Sequence, residues 1–348
     1  MRDVKVVASN VRALTPAMLG ACTIAPHPDA AEGAVVVVEA VSREGSIRSV
    51  ENQAGREVAL YQGDRFVGVL ANRRSSTSEY GHVPAPCAPG ALPELDLLSH
   101  GGVIGQGLSI PPCRAACGFT KVKVLGALMH GGRAVFLRDL CSAPVALRPA
   151  PAVPTILVCG SAAEVGKTTA CTALIRALKR HGLSVGGAKL TGTGRLRDIL
   201  GMRDAGADHV LDFPSVGLAT TYTAPAAVLD AARAILSDLD SRGCDIVVAE
   251  LGGDIIEACA DHLLLDSALA KRTHAIVHVA GDVIGIIGAA ELYRRAGLAD
   301  RVHPTIPKDR NPLGTTERLR ALGWTALDAM DAAACDAFVG RWIAGGDA

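Results

Sequence analysis

The sequence predicts an α/β chain: a parallel sheet with flanking helices built around a phosphate-binding loop, preceded by a smaller β-rich domain. Three observations predict it. An apolar run at residues 155–159 enters a turn of small residues that ends in Gly166-Lys167-Thr168. From there on, strand-length apolar runs alternate with helix-length amphipathic segments, the pattern of right-handed strand-helix-strand units. The stretch 145–154, with three prolines and neither helical nor strand period, reads as a linker between this half and a first half of short β-rich runs.

In chain order, the first domain is expected over residues 1–147. Its β-rich runs fall at 34–41, 57–61, 65–71, 121–125 and 134–137, separated by turns such as Gln62-Gly63-Asp64 and His130-Gly131-Gly132. They suggest a small barrel-like domain with irregular excursions. Arg73-Arg74-Ser75-Ser76-Thr77 reads as a solvated basic turn, with anion binding as the lesser reading. The second domain is expected over residues 154–348, with strands at 155–159, 184–189, 246–250, 275–280 and 301–306. Helices are expected at 169–181, where Ala173, Leu174, Ala177 and Leu178 share a face, and at 225–242, 289–296 and 315–322. The segment 195–222 carries Arg197, Asp198, Arg203, Asp204, Asp208, Asp212 and then Thr220-Thr221-Tyr222. Without a core period it reads as a long polar substrate loop.

Composition narrows the partners. With 35 basic and 35 acidic residues among 348, no net field draws the chain to nucleic acid or to an anionic membrane. An aromatic content of 3% leaves few stacking platforms or hot-spot anchors, so the expected partner is a small molecule. Met1-Arg2-Asp3-Val4-Lys5 does not open a secretory leader and no run reaches membrane-spanning length, so the expected compartment is the cytoplasm. The ten cysteines sit mostly alone among apolar residues, as Cys159, Cys171, Cys244 and Cys259 do, and read as reduced. Cys113 and Cys117 are close, but lack the second Cys or His pair of a zinc site.

The loop supplies the chemistry. Gly160, Ser161, Glu164, Val165, Gly166, Lys167, Thr168 and Thr169 are the expected nucleotide contacts. Backbone N–H groups of the turn and of the following helix terminus surround phosphate oxygens, Lys167 supplies a point charge, and the Thr168 hydroxyl suits Mg²⁺. One departure from the usual G-x-x-x-x-G-K-[ST] is plain: the position of the first glycine is Ser161, and the glycine is Gly160, one residue earlier. Ligands of parallel sheets gather at strand carboxyl ends. After the second strand come Lys189 and Thr191-Gly192-Thr193-Gly194, a cation beside a backbone anion cradle. After the third come Glu250-Leu251-Gly252-Gly253-Asp254, where Glu250 is placed to face Mg²⁺ opposite Thr168.

Together, the 160–168 loop, Lys189 and Glu250-Leu251-Gly252-Gly253 resemble the P-loop group of dethiobiotin synthetase and its relatives in molybdopterin-guanine dinucleotide and cobyrinic acid amide synthesis. The resemblance covers 155 to about 282 and shares the extra loop residue. It implies ATP and Mg²⁺ as cofactors, Lys167 and Thr168 on the phosphates and metal, Lys189 beside the transferred phosphoryl, and Glu250 with Asp204 in the metal shell. Ala162 replaces that group's loop Asp and Leu251 a Gly, and its biotin-pathway substrate is not carried over. The ParA-like lysine early in the loop is absent. The expected function is a MgATP-dependent synthetase, ligase or kinase that activates a carboxylate- or amine-bearing metabolite, with Lys167, Lys189 and Glu250 as its catalytic residues. Two other classes stay open: a nucleotide-switch or chaperone-like NTPase acting on a protein, and an acyltransferase holding a coenzyme pyrophosphate in its loop. The first domain is open to roles as lid, substrate recogniser or dimer contact, and a homodimer is compatible with all of these.

Overall fold

The computed structural model describes residues 3–26, 30–85, 94–141, 152–306, 312–329 and 331–343. Most of the expected linker therefore lies outside the described residues. Two compact units are present: Met1–Ala143 with Thr193–Arg197 and Phe213–Thr223, and Pro144–Gly192 with Asp198–Asp212 and Ala224–Ala348. The units are thus not two consecutive stretches of chain.

The N-terminal unit is built on β1 (Val35–Ala40), β2 (Arg65–Leu70), β3 (Leu95–Ser99), β4 (Val103–Ser109) and β5 (Thr120–His130). Hydrogen-bonded neighbours run β2-β1-β5-β3-β4, and β4 also pairs with β2, so the five strands close into a ring. Closure removes sheet edges, which otherwise invite pairing with other chains. Val35, Val36, Val37 and Val38 are all buried, so β1 is covered on both faces. β3 and β4 were not expected from the sequence. The two later segments are tied into this unit by side chains. Asn10 Nδ2 donates to the Ala219 carbonyl at 3.3 Å, Asn72 Nδ2 to the Tyr222 carbonyl at 3.2 Å, and Thr220 Oγ1 to the Asn72 carbonyl at 2.7 Å. The fully buried Glu51 carboxylate accepts from the backbone N–H groups of Leu196 at 2.7 Å and Arg197 at 3.0 Å and from Ser9 Oγ at 2.5 Å.

The C-terminal unit carries β6 (Thr155–Gly160), α1 (Lys167–Arg180), β7 (Val185–Thr191), α2 (Leu196–Asp204), β8 (His209–Asp212), α3 (Pro225–Ser241), β9 (Ile246–Leu251), β10 (Thr273–Val279), α4 (Val283–Arg295) and β11 (Val302–Thr305). Residues 196–197 of α2 fall in the N-terminal unit. The sheet order is β8-β7-β9-β6-β10-β11 and every pairing is parallel. β6, β7 and β9 are buried along their whole length, which is why they are built from apolar and small residues up to the charged residues near their carboxyl ends, Lys189 on β7 and Glu250 on β9.

The expected polar loop at 195–222 is instead α2, β8 and the short 3-10 turn Phe213–Val216. Its pattern is brief: Leu196, Ile199 and Met202 form one buried stripe, and β8 is a four-residue edge strand. α4 begins well before the expected 289, because Asp282 caps it by accepting from the Gly285 N–H at 2.9 Å and so offsets two helix-weakening glycines. A further helix, Ala332–Ile343, went unread in the sequence. Among the described residues no helix is long and apolar enough to cross a membrane.

Candidate phosphate site

β6 ends at Gly160, and the loop turns through Glu164 at φ 62° and Gly166 at φ 105° into the first turn of α1. A Cβ on Gly160 would stand 2.9 Å from Val165 Cγ2, 3.0 Å from Lys167 Cδ and 3.0 Å from the Val279 carbonyl. A glycine one residue before the usual position is therefore what lets the Lys167 stem lie across the strand end. Ser161, at the usual position, donates its N–H to the Val279 carbonyl at 3.0 Å, and its Oγ accepts from the Gly281 N–H at 3.3 Å. α1 leaves its first N–H groups and positive dipole end at the loop. Val165 and Thr168 are half-buried there, and Glu164 and Thr169 are exposed.

The buried Lys167 ammonium donates to the carbonyls of Ala162 and Gly253, each at 2.6 Å. Burial lowers its pKa from the ordinary lysine value, with Glu250 opposing and Lys189 reinforcing the shift. Thr168 Oγ1 donates to Glu250 Oε2 at 3.0 Å. β-sheet register lines up the remaining charges. Lys189 of β7 is directly opposite Glu250 of β9 on one side and Asp212 of β8 on the other. Lys189 ion-pairs with Asp198 and lies 3.9 Å from Glu250 Oε1. Burial alone would lower its pKa; Asp198, then Glu250, reverse this and hold it above the ordinary value. Gly252 permits the close approach of these strand ends, since a Cβ there would meet the Thr191 carbonyl at 2.4 Å and Lys189 Cε at 3.2 Å.

The structure thus brings Lys167, Thr168, Lys189 and Glu250 together. It does not bring in Asp204, which is exposed at the last position of α2, beyond Asp198 on the same helix. Asp198 takes the place beside Lys189, and Asp212 lies in the same row; the sequence offered both only as charges in a loop. The signal that finds Asp198 is the Leu196, Ile199, Met202 stripe, which makes 196–204 a helix starting just after the second strand. Asp254 Oδ1 accepts from the Ile256 N–H at 2.9 Å, and its charge acts on Lys167.

Beneath the loop lies a group the sequence did not single out. His278 of β10 pairs in register with Cys159, is fully buried, and holds Tyr293 Oη at 2.7 Å through Nδ1. Burial, aided by the Lys167 charge, pushes its pKa down to about 4. Burial pushes the Cys159 thiol up to about 12, so it stays protonated.

The donor set suits a magnesium-bound polyphosphate. Among the described residues no group of three or more His, Cys, Asp or Glu side chains is placed to hold a metal by itself. Thr168 and Glu250 offer one hydroxyl and one carboxylate, which fits an ion that keeps several waters and takes its other ligands from phosphate. Cys113 and Cys117 are exposed free thiols.

No family model matches the chain, and no curated protein matches it. Solved structures do. The signal recognition particle 54 kDa protein of Aeropyrum pernix K1, in complex with GDP, matches at 22% identity over 61% of this chain and 51% of that one, with a TM-score of 0.37. The cell division protein FtsY of Thermotoga maritima matches at 21% identity over 57% and 73%, with a TM-score of 0.37. A LAO/AO transport system kinase matches at 18% identity over 58% and 62%, with a TM-score of 0.39. The chain spans about half the length of the first of these.

Proposed function

We propose that the chain is a P-loop NTPase whose C-terminal unit binds magnesium nucleoside triphosphate and uses it, as MgATP, to activate a small-molecule carboxylate or amine by γ-phosphoryl transfer. The observation that carries the reading is the meeting of the Thr168 hydroxyl with Glu250 beside two buried lysines, Lys167 at the start of α1 and Lys189 on β7, the strand next to that of Glu250. When bound, the metal neutralises phosphate charge and orients the phosphoryl. Thr168 and Glu250 would hold it. Lys167, at the helix terminus, would exchange its two carbonyl partners for phosphate oxygens. Lys189, kept cationic by Asp198 and Glu250, would neutralise charge developing on the transferred group. The resemblance to the dethiobiotin synthetase group supports the choice of ATP and of a metabolite acceptor.

The test is product analysis. Lys167→Ala should abolish MgATP-dependent product formation while the protein still folds; activity above about a tenth of normal contradicts a phosphoryl-transfer role. One observation favours a second reading, a nucleotide switch: the chain passes into the N-terminal unit directly after β7 and again after β8. Hydrolysis that needs no metabolite and rises with a protein partner would select it.

A further inference from the structure

The N-terminal unit holds a cluster of cations that the phosphate site does not use. Arg195 donates through Nη2 to Glu57 Oε1 at 2.6 Å. Glu57 Oε2 accepts from Ser49 Oγ at 2.9 Å, and that hydroxyl also meets His100 Nδ1 at 3.1 Å. Arg73, in the two-residue strand Arg73–Arg74 that pairs with Tyr80–His82, donates through Nη1 to Glu79 Oε2 at 3.1 Å and to the Leu98 carbonyl. Glu79 is 1% exposed and holds Arg114 Nη1 on its other oxygen at 3.1 Å. Three arginines and a histidine therefore share two carboxylates, of which Glu79 Oε1 makes an ion pair with Arg114 but no hydrogen bond.

Two guanidinium donors remain over. Nε of Arg73 and Nε of Arg195 are each buried with no hydrogen-bond partner among the described residues. Thr77 Oγ1, in the loop between the paired strands, is in the same condition. Folded proteins seldom leave a buried charged group's N–H without an acceptor, and a guanidinium has only donors to offer. The charges of these cations also act on one another: Arg114 and Arg195 reinforce the desolvation that lowers the Arg73 pKa, and Arg195 reinforces that which lowers His100. Such a constellation lacks an anion of the right size.

We propose that this cluster binds an oxyanion, the carboxylate or phosphate group of a small molecule, through the Nε donors of Arg73 and Arg195, with Arg114 and His100 supplying further positive charge. The site does not need a nucleotide at Lys167. It goes beyond the proposed function and does not rest on it.

The experiment is calorimetric titration of the full chain at fixed ionic strength with inorganic phosphate and, separately, with succinate. Both the native protein and Lys167→Ala are titrated, so that phosphate held by the phosphate loop is told apart. One-site saturable uptake of at least one probe, equal in the two proteins and weakened about tenfold or more by Arg195→Gln, is expected. Tighter phosphate marks a phosphate ester as the ligand class, and tighter succinate a carboxylate. Arg114→Gln, at a more exposed side chain, gives a second variant whose loss of affinity supports the site if Arg195→Gln fails to fold. Uptake that vanishes in Lys167→Ala and survives both arginine changes overturns the proposal, as does failure of both probes to saturate. A protein that binds succinate yet shows no MgATP-dependent chemistry keeps this site and loses the proposed function.

Discussion

At Glu250 one carboxylate serves two neighbours, the Thr168 hydroxyl at 3.0 Å and the Lys189 ammonium at 3.9 Å. Glu250→Gln keeps the shape and removes the charge, so turnover should fall at least about a hundredfold and need far more Mg²⁺, read by titrating the metal at saturating ATP. Lys189→Met strips the half-buried Asp198 and the buried Asp212 and Glu250 of their shared cation. Breaking a buried pair from one side costs about 3–5 kcal/mol, and urea denaturation should show a loss of that order. His278 gives a pH signature. Its pKa is about 4 when folded against the ordinary histidine value of 6.5, so the unfolded chain takes up the proton first as pH falls through 6.5. Stability should therefore be unaffected by this group above 6.5 and decline by about 1.4 kcal/mol per pH unit below it, down to the folded value. His278→Gln should remove that part of the slope in melts run between neutral pH and the folded value.

Elements differ in how openly their residues announce them. β6, β7 and β9 lie inside a parallel sheet covered on both faces, so their runs of apolar and small residues were legible, as was the loop that follows the first of them. Lys167, Thr168, Lys189 and Glu250 came with them, because each stands at a strand end or helix start. α2 and β8 were not legible: nine and four residues long, they carry too few turns or alternations to rise above their charges. α2 also takes its N-terminal acceptor from Glu51, far away in sequence, a cap that no local window contains. Glu51→Ala should leave those buried N–H groups unsatisfied and destabilise the protein by about 1–3 kcal/mol in denaturant titrations. Gly160→Ala tests the shifted glycine. Its methyl would press on Val165, Lys167 and the Val279 carbonyl at 2.9 to 3.0 Å, so nucleotide affinity should fall about tenfold or more by calorimetry.

For the whole molecule, the sequence pointed to two parts, but not to the way the chain interleaves them. Segments 193–197 and 213–223 belong with the ring of strands that precedes them by most of the chain's first half. Asn10, Asn72 and Glu51 hold them there, and such long-range bonds leave no periodic trace. The unit they leave and rejoin carries the phosphate site, and everything proposed for it requires that the 160–168 turn receive a nucleotide's phosphates. Titration calorimetry with ATP, GTP and acetyl-coenzyme A, each with and without magnesium, tests this most directly. The account predicts one-site, magnesium-dependent uptake of ATP that Lys167→Ala eliminates. No magnesium-dependent uptake of any nucleotide, or uptake indifferent to Lys167, would contradict it.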